Sequence, residues 1–188
     1  MESQWRNLVD AIQAPVELFR RLRERPAAVQ GVVVAVVAQA LLSLGPQGAT
    51  PLSGFEDAPR LGPVGDAVIG AVSFLIGIGA VHLVARWLGG RASFSAALST
   101  LGLASTPLLL YAPVYVVAAL TGLAGLALLA MFGLGIWSIV LDVLAVRETY
   151  GVSTGRAIAA LLLSGFVIVL AAVVLALVFG ILAVILAL

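Results

Sequence analysis

A single histidine, His82, and one membrane-depth carboxylate, Asp142, are the side chains of this sequence best suited to proton or ion chemistry. Both fall inside long apolar runs, where an ionisable group is costly and calls for a functional explanation beside the structural one. Arg86 lies four residues after His82 and shares its face if that run is a helix. Read from the expected ends of their helices, His82 and Asp142 sit about one and a half turns in, at similar depth. His82, Arg86 and Asp142 therefore form a candidate intramembrane polar cluster. It reads either as a proton relay or gate on an ion path, or as a polar pin between two helices with Arg86 snorkelling to water. Pro107 is the other chemical landmark. It falls near the middle of an apolar run, preceded by Ser105 and Thr106 and followed by Pro113, and it frees a backbone carbonyl one turn earlier. A helix kink there would either offer backbone groups to a substrate or be satisfied by a neighbouring hydroxyl as an ordinary kink.

Other chemistries find no support. With no cysteine and one histidine, disulfides, thiolate sites and a structural zinc site have no ligands to draw on. No glycine-rich phosphate loop occurs. The adjacent acids Glu56 and Asp57 read as solvated loop residues, and one buried Asp is too few for an aspartyl intramembrane protease. Neither a cofactor nor an enzymatic activity is expected. A net charge of +1 leaves no nucleic-acid footprint.

The elements that must position these residues follow from composition. The 188 residues are 62% hydrophobic and 10% charged, with a mean hydropathy of +1.19. Soluble domains carry roughly 25% charged residues, so lipid must solvate most of this chain. Apolar runs at 27–44, 66–88, 94–120, 123–146 and 156–188 approach or exceed the roughly 20 residues that a helix needs to cross a hydrocarbon core. In lipid their backbones must be helical. The expected fold is all-α: a polytopic membrane protein, with a bundle of five transmembrane helices at 27–188 and an amphipathic interfacial segment at 1–26. The first run reads as a span and not as a cleaved signal, since it follows a long amphipathic segment.

Connections are expected at the proline-rich stretch 45–65, at Leu88-Gly89-Gly90-Arg91 with Ser93 or Ser95 capping the next helix, at Thr121-Gly122, and at the polar stretch 147–153. Gly70, Gly77, Gly79, Gly133 and Gly135 read as close-packing points. The last run would be about 50 Å long as one helix, so it must tilt, bend near Gly165 or protrude.

In the N-terminal segment Trp5, Leu8, Val9, Ile12, Val16, Phe19 and Leu22 recur at helical spacing. Pro15 should divide it into two short helices. Trp5, Phe19, Arg20, Arg21 and Arg23 are expected to anchor it in the headgroup layer, with docking of a cytoplasmic partner as the alternative reading. All ten basic residues are arginine. Nine of them fall on one side of a five-span layout and Arg60 alone on the other, which puts the N-terminus in the cytoplasm and the C-terminus outside.

Several short motifs are similar to the Yip family of five-span membrane proteins, bacterial type. They are Pro15-x-Glu17-x-Phe19 with Pro26, then Trp87-Leu88-Gly89-Gly90-x-x-Ser93-Phe94. Leu101-Gly102, Ala104-Ser105-Thr106-Pro107, Trp137 and Tyr150-Gly151-Val152-Ser153 with Ala157 complete the likeness. The resemblance implies a helical bundle without known catalytic residues, in a bacterial inner membrane. The family's eukaryotic members are tied to vesicle traffic and small Rab-type GTPases. The expected partners are the lipid bilayer, a second copy of the chain, and a cytoplasmic or membrane protein. A membrane interaction or organising role is the leading expectation. A small transporter or channel, with a polar path near His82, Asp142 and the Pro107 kink, is the alternative.

Overall fold

A computed structural model describes residues 2–43 and 62–187. Every element among them is helical. Two short helices, α1 (Glu2–Gln13) and α2 (Pro15–Glu24), precede α3 (Ala28–Ser43). Then come α4 (Gly62–Trp87), α5 (Phe94–Ala104), a 3-10 segment (Thr106–Leu110), α6 (Tyr111–Thr121), α7 (Ala124–Tyr150) and α8 (Thr154–Ala187). Among the described residues four stretches are long and apolar enough to cross a membrane: Val68–Trp87, Phe94–Thr121, Ala124–Tyr150 and Thr154–Leu186. The first expected span is a 16-residue helix over its described length, about 24 Å, and falls short of that group. The chain is a multi-pass membrane protein.

Local chemistry sets most of the breaks. Pro15 opens α2, where its missing N–H costs nothing, so the amphipathic segment is two helices. Gly89, Gly122 and Gly151 end α4, α6 and α7 with positive φ, a conformation closed to most side chains. Ser93 caps α5 by accepting the Ala96 N–H at 3.2 Å. Pro63 lies in the first turn of α4, which therefore starts before the expected position 66. The rest of the proline-rich loop, with Glu56, Asp57 and Arg60, lies outside the described residues.

Two expectations are corrected, and one left open is narrowed. The third span is not one kinked helix: it passes from α5 through the 3-10 segment to α6, with Pro107 fully buried. The turn expected at 147–153 is confined to 151–153. Arg147 to Tyr150 are the last turn of α7, because Thr149 and Tyr150 are buried and Glu148 is held by two arginines. The last run, whose course the sequence leaves open, is one continuous helix, α8, of 34 residues, about 51 Å long against a core of roughly 30 Å.

The core lies at one end of the bundle. Leu18, Phe19 and Leu22 of α2, Val81 and Ala85 of α4, Leu101 and Leu103 of α5, Ala145, Val146 and Tyr150 of α7, and Ala157 and Ala160 of α8 are all buried together. Beyond Ser164 no described residue of α8 is buried, and α6 buries none. That half leaves its side chains to lipid.

The tightest helix contact is between α3 and α5. A Cβ on Gly102 would stand 2.3 Å from the Gly31 carbonyl, and one on Gly31 would stand 2.3 Å from the Leu98 carbonyl. Only glycine allows backbones this near. Of the glycines expected to serve packing, Gly70 faces Gln39 and Gly135 faces the Tyr111 hydroxyl. Gly77, Gly79 and Gly133 meet nothing within 4 Å among the described residues.

Candidate functional site

The arginine-bearing end of the bundle gathers the polar groups. There the end of α4, the start of α5, the end of α7 and the start of α8 meet, and α2 lies across α5 and α7. His82, half-buried on α4, shares a 2.8 Å hydrogen bond between Nδ1 and the Tyr150 hydroxyl. Phe94 stands edge-on to the imidazole with ring centroids 5.4 Å apart. Arg86 is exposed one turn beyond His82.

Asp142 is placed differently. It precedes Tyr150 on α7 by eight residues, about 12 Å along the axis. It is half-buried and makes no hydrogen bond or ion pair among the described residues. The depth match read from the sequence placed the end of α7 at residue 146. The helix runs a further turn, to Tyr150. His82 and Arg86 share one face of α4; His82 lies five residues before the end of α4 and Asp142 eight before the end of α7.

At Pro107 the carbonyl freed by the missing N–H is that of Leu103. The Thr106 hydroxyl donates to it at 2.6 Å, so the break in the third span is satisfied internally. A second buried polar link joins α5 to α7: the Thr149 hydroxyl donates to Thr100 Oγ1 at 2.8 Å, and Thr100 donates to the Ala96 carbonyl at 2.9 Å. Tyr111 donates to the Met131 carbonyl at 2.8 Å across the α6–α7 hairpin.

The N-terminal helices are tied to the bundle by both apolar and charged contacts. Phe19 is 0% exposed, between Leu18 and Leu22, so its ring is enclosed by protein and does not reach lipid. Trp5, 68% exposed, with Val9 and Ile12, forms the outward apolar stripe of α1. Arg20 donates from Nε to Glu148 at 2.7 Å, while Arg147 holds the other carboxylate oxygen at 2.6 Å. That hydrogen bond, and then the charge of Glu148, raise the Arg20 guanidinium above its ordinary value. Arg21 pairs with Asp10 at 2.9 Å and donates to Asn7 at 2.7 Å, closing the α1–α2 hairpin. Asn7 donates to Gln30 at 2.7 Å, which links the hairpin to α3. Arg23 lies against Gly151, 3.2 Å from where a Cβ would be.

Tyr150, Thr100, Thr149 and Glu148 were not singled out by the sequence reading. Their signals are faint: a hydroxyl in an apolar helix, and a carboxylate beside an arginine. The Gly31–Gly102 contact had a better one, since Gly31, Ala35 and Ala38 recur at helical spacing on α3 and are all buried.

Two cavities border these elements. One, of about 940 Å³, lies between α1 and the start of α3, lined by Gln4, Asn7, Gln30 and Ser95 among others. The other, of about 660 Å³, is an apolar groove between α6 and α7. Neither is lined by His82, Asp142 or Pro107. Among the described residues no cluster of metal-ligating side chains occurs.

The family model described as the Yip1 domain matches residues 9–188. No curated protein and no solved structure matches the chain.

Proposed function

Because the chain belongs to the Yip family, we propose that it is a non-enzymatic membrane interaction or organising protein whose arginine-bearing end faces the cytoplasm. One observation carries this reading: the N-terminal hairpin is docked on that end by the Phe19 core and the Arg20–Glu148 ion pair. A docked hairpin with an exposed charged face is suited to recognising a cytoplasmic or membrane partner. The lipid-facing half, with α8 unpartnered along most of its length, suits association with a second copy. The arginine bias supports an inside N-terminus, and the bacterial-type motifs support an inner membrane.

The test is reconstitution of the full chain in sealed vesicles, with proton and ion flux measured across them. Flux no greater than in empty vesicles is the expected result. A saturable flux would overturn the reading.

Asp142 favours a second reading, a small transporter or channel, because a half-buried carboxylate without a partner at membrane depth is costly to keep. On that reading a measured flux must fall in Asp142→Asn. An unchanged flux removes it.

A further inference from the structure

The turns between α4 and α5 and between α7 and α8 lie against each other. The Arg91 N–H donates to the Tyr150 carbonyl at 3.1 Å, and a Cβ on Gly90 would meet the Tyr150 Cβ at 2.8 Å. Besides Arg23, which lies against Gly151, three guanidinium-bearing residues belong to this junction. Arg86 comes from the last turn of α4, Arg91 from the turn itself, and Arg156 from the first turn of α8, with Nη1 3.8 Å from the Cβ position of Gly89. All three are exposed, and none forms an ion pair among the described residues. Two carboxylates of this end are engaged elsewhere, Glu148 by Arg20 and Arg147 and Asp10 by Arg21. Glu17 and Glu24 sit on α2.

We propose that Arg86, Arg91 and Arg156 form a binding site for the phosphate of an anionic phospholipid. Three like charges from three elements, held at one junction without a carboxylate, are a complement for a phosphate, which guanidinium groups bind through charge-assisted hydrogen bonds. The neighbouring surface argues for a lipid over a soluble anion. On α4, Trp87 is 79% and Leu83 70% exposed on either side of Arg86, and on α8 Leu163, two turns below Arg156 on its face, is 39% exposed. Headgroup-level charge thus passes directly into an apolar, acyl-facing surface, with an indole at the boundary where Trp is favoured.

The experiment titrates the full chain in a neutral detergent with phosphatidylglycerol, phosphatidylcholine or inorganic phosphate, reading the rise in thermal midpoint. Phosphatidylglycerol should give a saturable rise that weakens with added salt, and the other two should not. Arg86→Gln, Arg91→Gln and Arg156→Gln should each weaken the apparent affinity about fivefold, from roughly 1 kcal/mol per arginine at a membrane surface. Arg6→Gln, on the exposed face of α1, should leave it unchanged. Thermal midpoints without lipid identify any variant that fails to fold, and the folded variants then carry the comparison. An undiminished response in the folded variants, an equal loss in Arg6→Gln, or equal saturation by inorganic phosphate would each overturn the proposal.

Discussion

His82 and Tyr150 meet at 2.8 Å, and this bond fixes the relative height of α4 and α7 at the arginine-bearing end. Asp142 lies about two turns before Tyr150 along α7 and has no hydrogen bond or ion pair among the described residues. The histidine is thereby accounted for as a link between two helices, and the lone aspartate is the group left without a structural explanation.

Breaking that link should cost little but should show coupling. Hydrogen bonds between membrane helices average about 0.6 kcal/mol and reach roughly 1.7. Tyr150→Phe and His82→Phe should each destabilise the chain by an amount in that range, and the double variant by less than their sum. Unfolding in detergent measures all three. Strict additivity would show that the two side chains do not interact.

The Gly31–Gly102 crossing should be far less tolerant. Gly102→Ala puts a methyl 2.3 Å from a backbone carbonyl, where no rotamer change relieves it. Overpacking of this kind costs roughly 1–3 kcal/mol. Gly77→Ala, with nothing within 4 Å, should be neutral or slightly stabilising through helix propensity. Equal thermal midpoints for the two variants would contradict the contact.

Phe19 should hold the hairpin in place. Removing a fully buried phenylalanine costs roughly 3–5 kcal/mol, so Phe19→Ala should free α2 and expose its arginines to trypsin. Trp5→Ala, on the outward stripe, should leave digestion near the level of the unaltered chain. Resistance of Phe19→Ala to cleavage would show that the helix does not depend on its apolar face.

The ion pair beneath it should matter unevenly. Arg20 is 67% exposed and its partner Glu148 only 10%. Arg20→Gln should cost little, as exposed pairs do. Glu148→Gln should cost more, because it strips two arginines of their carboxylate at once. Comparison of the two unfolding midpoints decides this, and the reverse order would remove Glu148 as the organising group.

Topology is directly testable because the chain has no native cysteine. Cysteines at Asp57 and Arg91 should react with an impermeant thiol reagent from opposite faces, Arg91→Cys from the cytoplasmic one. Labelling of both from the same side would break the alternation that the described helices imply. Labelling of Arg91→Cys from outside alone would invert the proposed orientation.

Composition and hydropathy by themselves determined that this chain is a helical, multi-pass membrane protein. Glycine and proline placed most of its breaks: Pro15 ahead of α2, Gly89 after α4, Gly122 after α6. Steric rules at those residues act locally and do not wait for the fold. Pro107 marked the third span as irregular, but not as two helices joined by a 3-10 segment. What surrounds each apolar face was decided only in three dimensions. Lipid and protein are equally apolar, so hydropathy could not tell that Phe19 turns into the core while Trp5 turns out. Nor could it tell that the core fills one end of the bundle and leaves α8 open. The stretch 147–150 reads as a polar turn because its partners are remote: Arg20 is 128 positions from Glu148 and Thr100 is 49 from Thr149. Only tertiary packing brings those partners near, and only then do these polar residues extend a helix instead of ending one.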